Sequence, residues 1–259
     1  MGSRPRRAFT RADSIRCRHL TVANRLLLQI PDQDRAAILR QAELIAPNVG
    51  DVLQEIGEVP AFGYFPESGL GSIVAVMEDG SMTEAASVGL DGFLGASLVT
   101  GTGRSSTRIV WQVPGEAHRV PAAAFRDVAA RPAVRTALLG YLQEMMDQMS
   151  QVAGCNRRHS LSARAARWLL MTDDRVIGNV FQLTHEFLAT MLGADRPKVT
   201  LAARDLRERG LITYRRGVVT VLDRPGLEAA ACECYEVLAR AFPGRSAGVV
   251  GSAWKAARR

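Results

Sequence analysis

Between Gln182 and Leu222 the chain reads QLTHEFLATMLGADRPKVTLAARDLRERGLITYRRGVVTVL, and few arrangements satisfy that pattern. Thr184 can cap a helix whose second position is Glu186, and Phe187, Leu188, Met191 and Leu192 give that helix one apolar side. Gly193 ends it by permitting left-handed backbone. Asp195 is placed to cap a second helix, with Arg196 and Pro197 in its first turn, where a missing proline N–H is harmless. On this second helix Val199, Ala202, Ala203 and Leu206 fall within one sector at about 100° per residue and should face a core. Pro197, Thr200, Leu201 and Arg204 then point outward, with Arg196 and Lys198 at the N-terminal end. Leu211 to Tyr214 and Val218 to Leu222 alternate as strands around an Arg215-Arg216-Gly217 turn. The stretch predicts helix, tight turn, helix and a basic hairpin.

A helix that presents small, polar and cationic positions outward is what the major groove of DNA admits. Lys198 and the helix N-terminus would attract phosphate, and two arginines at a hairpin tip suit phosphate or minor-groove contact. Charge supports a polyanionic partner for this part of the chain. Residues 1 to 150 hold 15 Arg and no Lys against 16 acids, whereas residues 151 to 259 hold 18 Lys plus Arg against 10 acids. The net charge of +7 is therefore carried wholly by the C-terminal part, which is the asymmetry expected when one region meets a polyanion and the other does not.

The rest of the 259 residues divides by texture. Six arginines crowd the first 18 residues, with no apolar segment or small-residue cleavage site behind them, so no export signal is expected and the cytoplasm is the expected compartment. Thr21 to Ile30 and Asp32 to Ile45 read as helices, the second with Asp32 and Asp34 in its first turn. From Phe62 to about Val120 the chain is rich in Gly, Val and Ser, with strand patterns at Ile73 to Met77, Ala85 to Val88, Thr107 to Val113 and Ala117 to Val120. Glu78-Asp79-Gly80-Ser81 is a hairpin signal, and closely spaced short strands imply a sandwich or roll.

From Pro132 the period becomes helical. Val134, Leu138, Tyr141, Met145, Gln148, Val152 and Cys155 follow heptad spacing. So narrow a stripe fits either a core face or a subunit seam. Its place between a β-rich block and a basic helical block favours the seam, with Gln148 as a register-fixing polar position. Leu161 to Met171 forms a further helix anchored by Trp168, Asp173-Asp174 marks a loop, and Pro225 to Ala241 reads as a final helix.

The four cysteines, Cys17, Cys155, Cys232 and Cys234, show no C-x-x-C pair and no zinc-type spacing, so neither a metal site nor a disulfide framework is expected. No apolar run approaches the roughly 20 residues of a membrane span, so no membrane partner is expected. No G-x-S-x-G, H-E-x-x-H, P-loop or dinucleotide fingerprint occurs, and an enzyme is not expected. One alternative to DNA binding stays open: a ligand-sensing module whose basic lobe meets a protein or a membrane.

With this order in view the chain resembles the Crp/Fnr family of bacterial transcriptional regulators. The likeness covers nearly everything from about Val22 to Ala241, and the segments that carry it most strongly are LTHEFLATMLGADRPKVTLAARDLRERGLI, YFPESGLGSIVAVMEDG, CNRRHSLSARAARWLL and DRPGLEAAACECY. The resemblance implies an α+β fold: an N-terminal cyclic-nucleotide-binding-like β-roll, a long dimerisation helix and a C-terminal winged helix-turn-helix. The corresponding spans are a basic flexible arm (1–20), a sensory domain (21–130), the dimerisation helix (131–157), the DNA-binding domain (158–241) and a flexible tail (242–259).

The resemblance further implies a homodimer on palindromic double-stranded DNA, with half-sites about one helical turn, on the order of 34 Å, apart, and RNA polymerase as a partner. Base-reading positions would be Arg196, Pro197, Thr200 and Leu201, phosphate-binding positions Thr184, Lys198, Arg204, Arg215 and Arg216, and the dimer seam Val134, Leu138, Tyr141, Met145, Gln148 and Val152. Pro197 and Leu201 stand where cyclic-AMP-responsive members carry Glu and Arg, so a different target sequence is implied. In the sensory half, GFLGASLVTGTGRSSTR aligns with the nucleotide cassette and marks Gly95, Ala96, Arg104 and Ser105 as the effector pocket. Ala96 replaces the family's ribose-binding Glu, which argues against cyclic AMP as the effector. An iron–sulfur cluster and haem are also not expected: a single cysteine, Cys17, lies near the N-terminus, and His19, His118, His159 and His185 are scattered.

Overall fold

The computed structural model describes residues 22–176 and 178–241. The arm expected over 1–20 and the tail expected over 242–259 lie outside the described residues. The fold is α+β. In chain order its elements are α1 (Arg25–Gln29), α2 (Asp32–Gln41), β1 (Glu43–Ile45), β2 (Val52–Gln54), β3 (Phe62–Pro66), β4 (Leu70–Val76), β5 (Met82–Val88), α3 (Ser97–Thr100), β6 (Arg108–Val113), β7 (Ala117–Pro121), α4 (Ala122–Ala129) and α5 (Pro132–Arg158). There follow α6 (Leu161–Asp173), β8 (Val180–Gln182), α7 (His185–Leu192), α8 (Arg196–Glu208), β9 (Ile212–Arg215), β10 (Val218–Val221), α9 (Arg224–Ala230) and α10 (Cys234–Ala241).

The N-terminal strands form two antiparallel sheets, ordered β1-β7-β3 and β2-β6-β4-β5, which make the roll. The expected hairpin joins β4 to β5: Met77 N–H donates to Ser81 O at 2.8 Å, Gly80 takes the left-handed φ of 80° that the turn requires, and Asp79 Oδ1 accepts from Ser81 N–H at 2.9 Å. The four strands expected from pattern coincide with β4 to β7 to within a few residues. Glu43–Ile45, expected as the end of a helix, is instead the edge strand β1. Ala42 turns extended with ψ 147°, and Glu43 to Ile45 satisfy their backbone groups on β7 rather than in another helical turn. The N-terminal helix is tied to the roll by Asn24, whose side chain caps α1 and donates to Pro66 O and Gly92 O at 2.8 and 2.9 Å from a fully buried position.

The roll's interior is a hydrophobic cluster centred on Phe65, Phe93, Phe125 and Tyr141, with Phe93 lying 5.5 Å from Phe125 and 5.3 Å from Tyr141 between ring centres. Here the expected dimer seam needs correction. Val134, Leu138, Tyr141, Met145, Gln148, Val152 and Cys155 are all buried within the chain itself, the first four in the roll's own core. Gln148 does not fix a register between subunits; its Oε1 accepts the Ser87 N–H at 2.9 Å and so docks α5 on β5. Heptad spacing defines a stripe but not the surface that the stripe covers.

The C-terminal elements build a second cluster around Trp168, Leu169, Leu188, Val199, Leu206 and Val219, and Leu70, Val74, Val110 and Val113 of the roll belong to the same cluster. The two halves therefore share apolar surface. Trp168 Nε1 also donates across this boundary to Glu84 Oε1 at 3.0 Å. Asp173 and Asp174, read from sequence as a loop mark, end α6 and bind the Arg224 guanidinium at 2.7 and 2.5 Å, which anchors α9. The final helix expected over Pro225 to Ala241 is two helices. Ala231 turns extended with ψ 161°, and α10 starts afresh at Cys234.

Candidate nucleic-acid interface

Thr184 caps α7, its Oγ1 accepting the Phe187 N–H at 3.1 Å. Gly193 closes α7 with φ 55°, and Ala194 N–H returns to Ala189 O at 3.0 Å. Asp195 is the N-cap residue of α8, yet its carboxylate makes no cap bond. It pairs with Lys198 Nζ at 2.6 Å, so the expected side-chain cap is replaced by an ion pair one turn along. That pair is exposed on both sides and is held weakly in water, which leaves Lys198 available to a competing anion.

The buried stripe of α8 is Val199, Ala202, Ala203 and Leu206, the same four residues that the sequence places inward. Arg196, Pro197, Lys198, Leu201 and Arg204 face solvent, and Leu201 is 65% exposed. Arg204 pairs with Glu208 one turn on at 2.6 Å, and Arg196 lies 3.9 Å from Glu186 of α7. Thr200 sits on the shoulder of the face. It is half-buried, and its Oγ1 meets Arg196 O at 2.9 Å and His185 Nδ1 at 3.1 Å.

His185 joins the three parts of the lobe. Its ring lies 4.2 Å from that of Tyr214 on β9, and Tyr214 Oη donates to Leu183 O at 2.5 Å. Burial, aided by the nearby Arg196 and Arg207 charges, holds the imidazole below its ordinary pKa and so favours its neutral form. The third sheet, β8-β10-β9, is the wing. Arg215 and Val218 pair across a two-residue turn in which Arg216 and Gly217 have φ of 49° and 75°. Two successive positive φ values identify a type I′ turn, and Arg216 is the one non-glycine residue with positive φ among the described residues. Arg215 and Arg216 are both exposed.

The four expected effector residues, Gly95, Ala96, Arg104 and Ser105, lie between β5 and β6, each against neighbours in the roll. Gly95 and Ala96 lead into α3, with Gly95 against Gly63 and Leu98. Arg104 Nη1 donates to Gly57 O at 2.5 Å and Ser105 Oγ to Thr107 O at 2.7 Å, so both groups are engaged by neighbouring loop backbone.

The structure gathers one set of residues that the sequence left apart. Cys155, His159, Cys232 and Cys234 place their ligand-capable atoms within 4.8 Å of one another. Cys155 Sγ lies 3.5 Å from Cys232 Sγ, and Cys234 Sγ lies 3.5 Å from His159 Nδ1. The hydrogen bond to Cys232, with Arg167 and His159 nearby, pulls the Cys155 thiol below its ordinary pKa, whereas Cys232 is pushed up by that same contact and by burial. The expectation of no metal-type grouping rested on spacing along the chain. The usable signal was Cys155-x-x-x-His159, an i,i+4 pair that shares a helix face.

Residues 163–230 match the model of a Crp-like helix-turn-helix domain. Solved structures share the fold over roughly three quarters of the chain. A Crp/Fnr-family transcriptional regulator from Eubacterium rectale matches with a TM-score of 0.62 at 17% identity, over 80% of this chain and 98% of that one. A Crp/Fnr-family regulator from Thermus thermophilus gives 0.61 at 23% identity, over 73% and 98%. The c-di-GMP-responsive global regulator CLP of Xanthomonas campestris gives 0.59 at 15% identity, over 74% and 99%. No curated protein matches the sequence.

Proposed function

For a chain that has the fold of the Crp/Fnr transcriptional regulators and carries a Crp-like helix-turn-helix domain over residues 163–230, we propose a homodimeric regulator that reads a palindromic DNA site. The observation that carries this reading is the outward face of α8. A buried stripe fixes the helix to the lobe, and Arg196, Pro197, Lys198, Leu201 and Arg204 are left on the solvent side. Arg196 is the candidate for bidentate base contact, and the exposed Leu201 is suited to a thymine methyl group. Pro197 offers shape without a donor. Thr200 would read a base only by releasing its contact to His185, so its first role is to orient α8 against α7. Thr184, Lys198, Arg204, Arg215 and Arg216 supply phosphate contacts on either side of the groove.

Dimerisation belongs to the partly exposed stripe of α5 that flanks the buried seam, about 100° round the helix from it. Leu139, Leu142, Met146 and Met149 repeat the heptad spacing there, and Leu139 and Met146 are 45% and 54% exposed. A second copy of the same helix would cover this stripe by two-fold symmetry and set two α8 helices on one side of a duplex. In this reading residues 21–130 sense, 131–157 pair and 158–241 bind DNA, with RNA polymerase as the partner in the cytoplasm. Among the described residues no helix is long and apolar enough to cross a membrane, and the basic lobe is assigned to duplex DNA rather than to a protein or lipid surface.

The test is selection from a random duplex pool with purified full-length protein. The expected result is an inverted repeat whose half-sites lie one helical turn apart, bound with an affinity that falls steeply as salt rises. Salt-sensitive binding with no recovered motif would refute sequence reading.

A further inference from the structure

We propose that Cys155, His159, Cys232 and Cys234 form a zinc site that clamps the end of α5 to the start of α10. Three thiol sulfurs and one imidazole nitrogen are the donor set of a closed Cys3His site. Zinc–sulfur bonds of about 2.3 Å and a zinc–nitrogen bond of about 2.0 Å place tetrahedral ligands roughly 3.5–3.8 Å apart. The two separations of 3.5 Å, and the 4.8 Å that bounds all four atoms, leave one ion's room among them. The donors are too close together for a cluster in which each ligand holds a different iron.

The surroundings are those of a metal centre. His159 Nε2 faces Glu233 Oε1 at 3.1 Å, so the carboxylate fixes the tautomer that turns the Nδ1 lone pair toward Cys234. Gln151 Nε2 donates to Cys234 Sγ at 3.0 Å, a bond that steadies a thiolate. Cys155, Cys232 and Cys234 are buried, as a structural site with no open position requires. Three thiolates with a divalent ion leave one net negative charge, and the buried Arg164 and Arg167 supply compensating charge at the cluster. The break between α9 and α10 acquires a reason: an unbroken helix would carry Cys232 and Cys234 to different faces, whereas the extended Ala231 brings both to α5. None of this depends on what α8 binds.

The full-length protein, purified without chelator under reducing conditions, should hold one zinc per chain by elemental analysis. Replacement by Co2+ should give thiolate-to-metal charge-transfer bands and the intense visible bands of a tetrahedral ion. Cys155→Ser, Cys232→Ser and Cys234→Ser should each weaken zinc binding more than roughly 100-fold, and Glu233→Gln by roughly 10-fold, as for other residues that orient a ligand from behind. Cys17→Ser should keep full stoichiometry. Should the cysteine variants fail to fold, the Co2+ spectrum of the unaltered chain decides alone. Metal-free protein that gives no tetrahedral cobalt spectrum overturns the site, and so does full-length reduced protein that holds no zinc after incubation with the ion.

Discussion

Arg175 closes an ion pair on Asp91 from inside the molecule: its Nε and Nη2 donate to the carboxylate at 2.7–3.2 Å, with the two side chains 2% and 8% exposed. One residue follows β5 and the other follows α6, so the pair fastens the roll to the helix-turn-helix half. Gly89 N–H also holds Asp91 at 3.0 Å, and Arg175 Nη1 donates to Met171 O at 3.0 Å. Removal of Asp91 takes the bidentate acceptor away from a buried guanidinium. Asp91→Ala is expected to lower stability to urea by roughly 3–5 kcal/mol, and Asp91→Leu with Arg175→Met to restore most of that loss. A double variant as unstable as the single one would show that the pair contributes more than mutual neutralisation.

The two stripes of α5 should separate in solution. Leu139→Glu or Met146→Glu puts charge on the exposed stripe and is expected to yield a folded monomer by sedimentation velocity. Leu138→Ala, one residue away in the roll's core, should cost roughly 2–5 kcal/mol and leave the assembly unchanged. If Leu139→Glu sediments as the unaltered chain does, subunits do not meet through this face.

These opposite expectations for neighbouring residues show where the sequence is informative. The buried stripe of α8, the Thr184 cap, the Gly193 turn and the β4–β5 hairpin rest on interactions spanning a few residues, and each could be read from local pattern. What covers Val134 to Val152 depends on strands and helices far away in sequence, and one helix contains two heptad stripes, so pattern alone could not say which one meets a second chain. The strands β1, β2 and β3 carry few β-branched residues and are fixed by their neighbours in the sheets. The Cys155 cluster was hidden for the same reason: its donors come in two pairs, with Cys155 and Cys232 77 positions apart in the chain.

Base reading and phosphate binding should respond differently to mutation. Arg196→Ala is expected to cost about 1–3 kcal/mol on the selected site and to relax preference at one base pair. Arg215→Ala should weaken specific and random duplexes alike and flatten the dependence of affinity on salt. Equal losses on both kinds of DNA for Arg196→Ala would remove it from the base-reading set.

Arg216 sits in left-handed backbone that a residue with a Cβ enters at a cost of about 1–2 kcal/mol. Arg216→Asn eases the turn and deletes one cation. Thermal stability should rise slightly, while the slope of log affinity against log salt should fall in magnitude by about 0.9 per half-site. An unchanged slope would place Arg216 outside the phosphate contacts.

Glu84 links stability to pH. It is buried beneath Trp168, and its pKa is raised by burial, with hydrogen bonds from Ser72 and Trp168 and the charges of Arg167 and Arg175 opposing the rise. Because the folded chain holds this proton more tightly than the unfolded one, the group's contribution is fully present below the ordinary Glu value of 4.5 and is lost as pH rises toward the folded pKa. Through that window a single such group lowers stability by at most about 1.4 kcal/mol per pH unit. Glu84→Gln cannot ionise, so it should remove this component of the slope and leave the protein relatively more stable at neutral pH than at about pH 4.5 when compared with the unaltered chain. Urea unfolding across that range checks the sign. A variant whose stability runs parallel to the unaltered protein at every pH would mean that Glu84 does not change its proton affinity on folding.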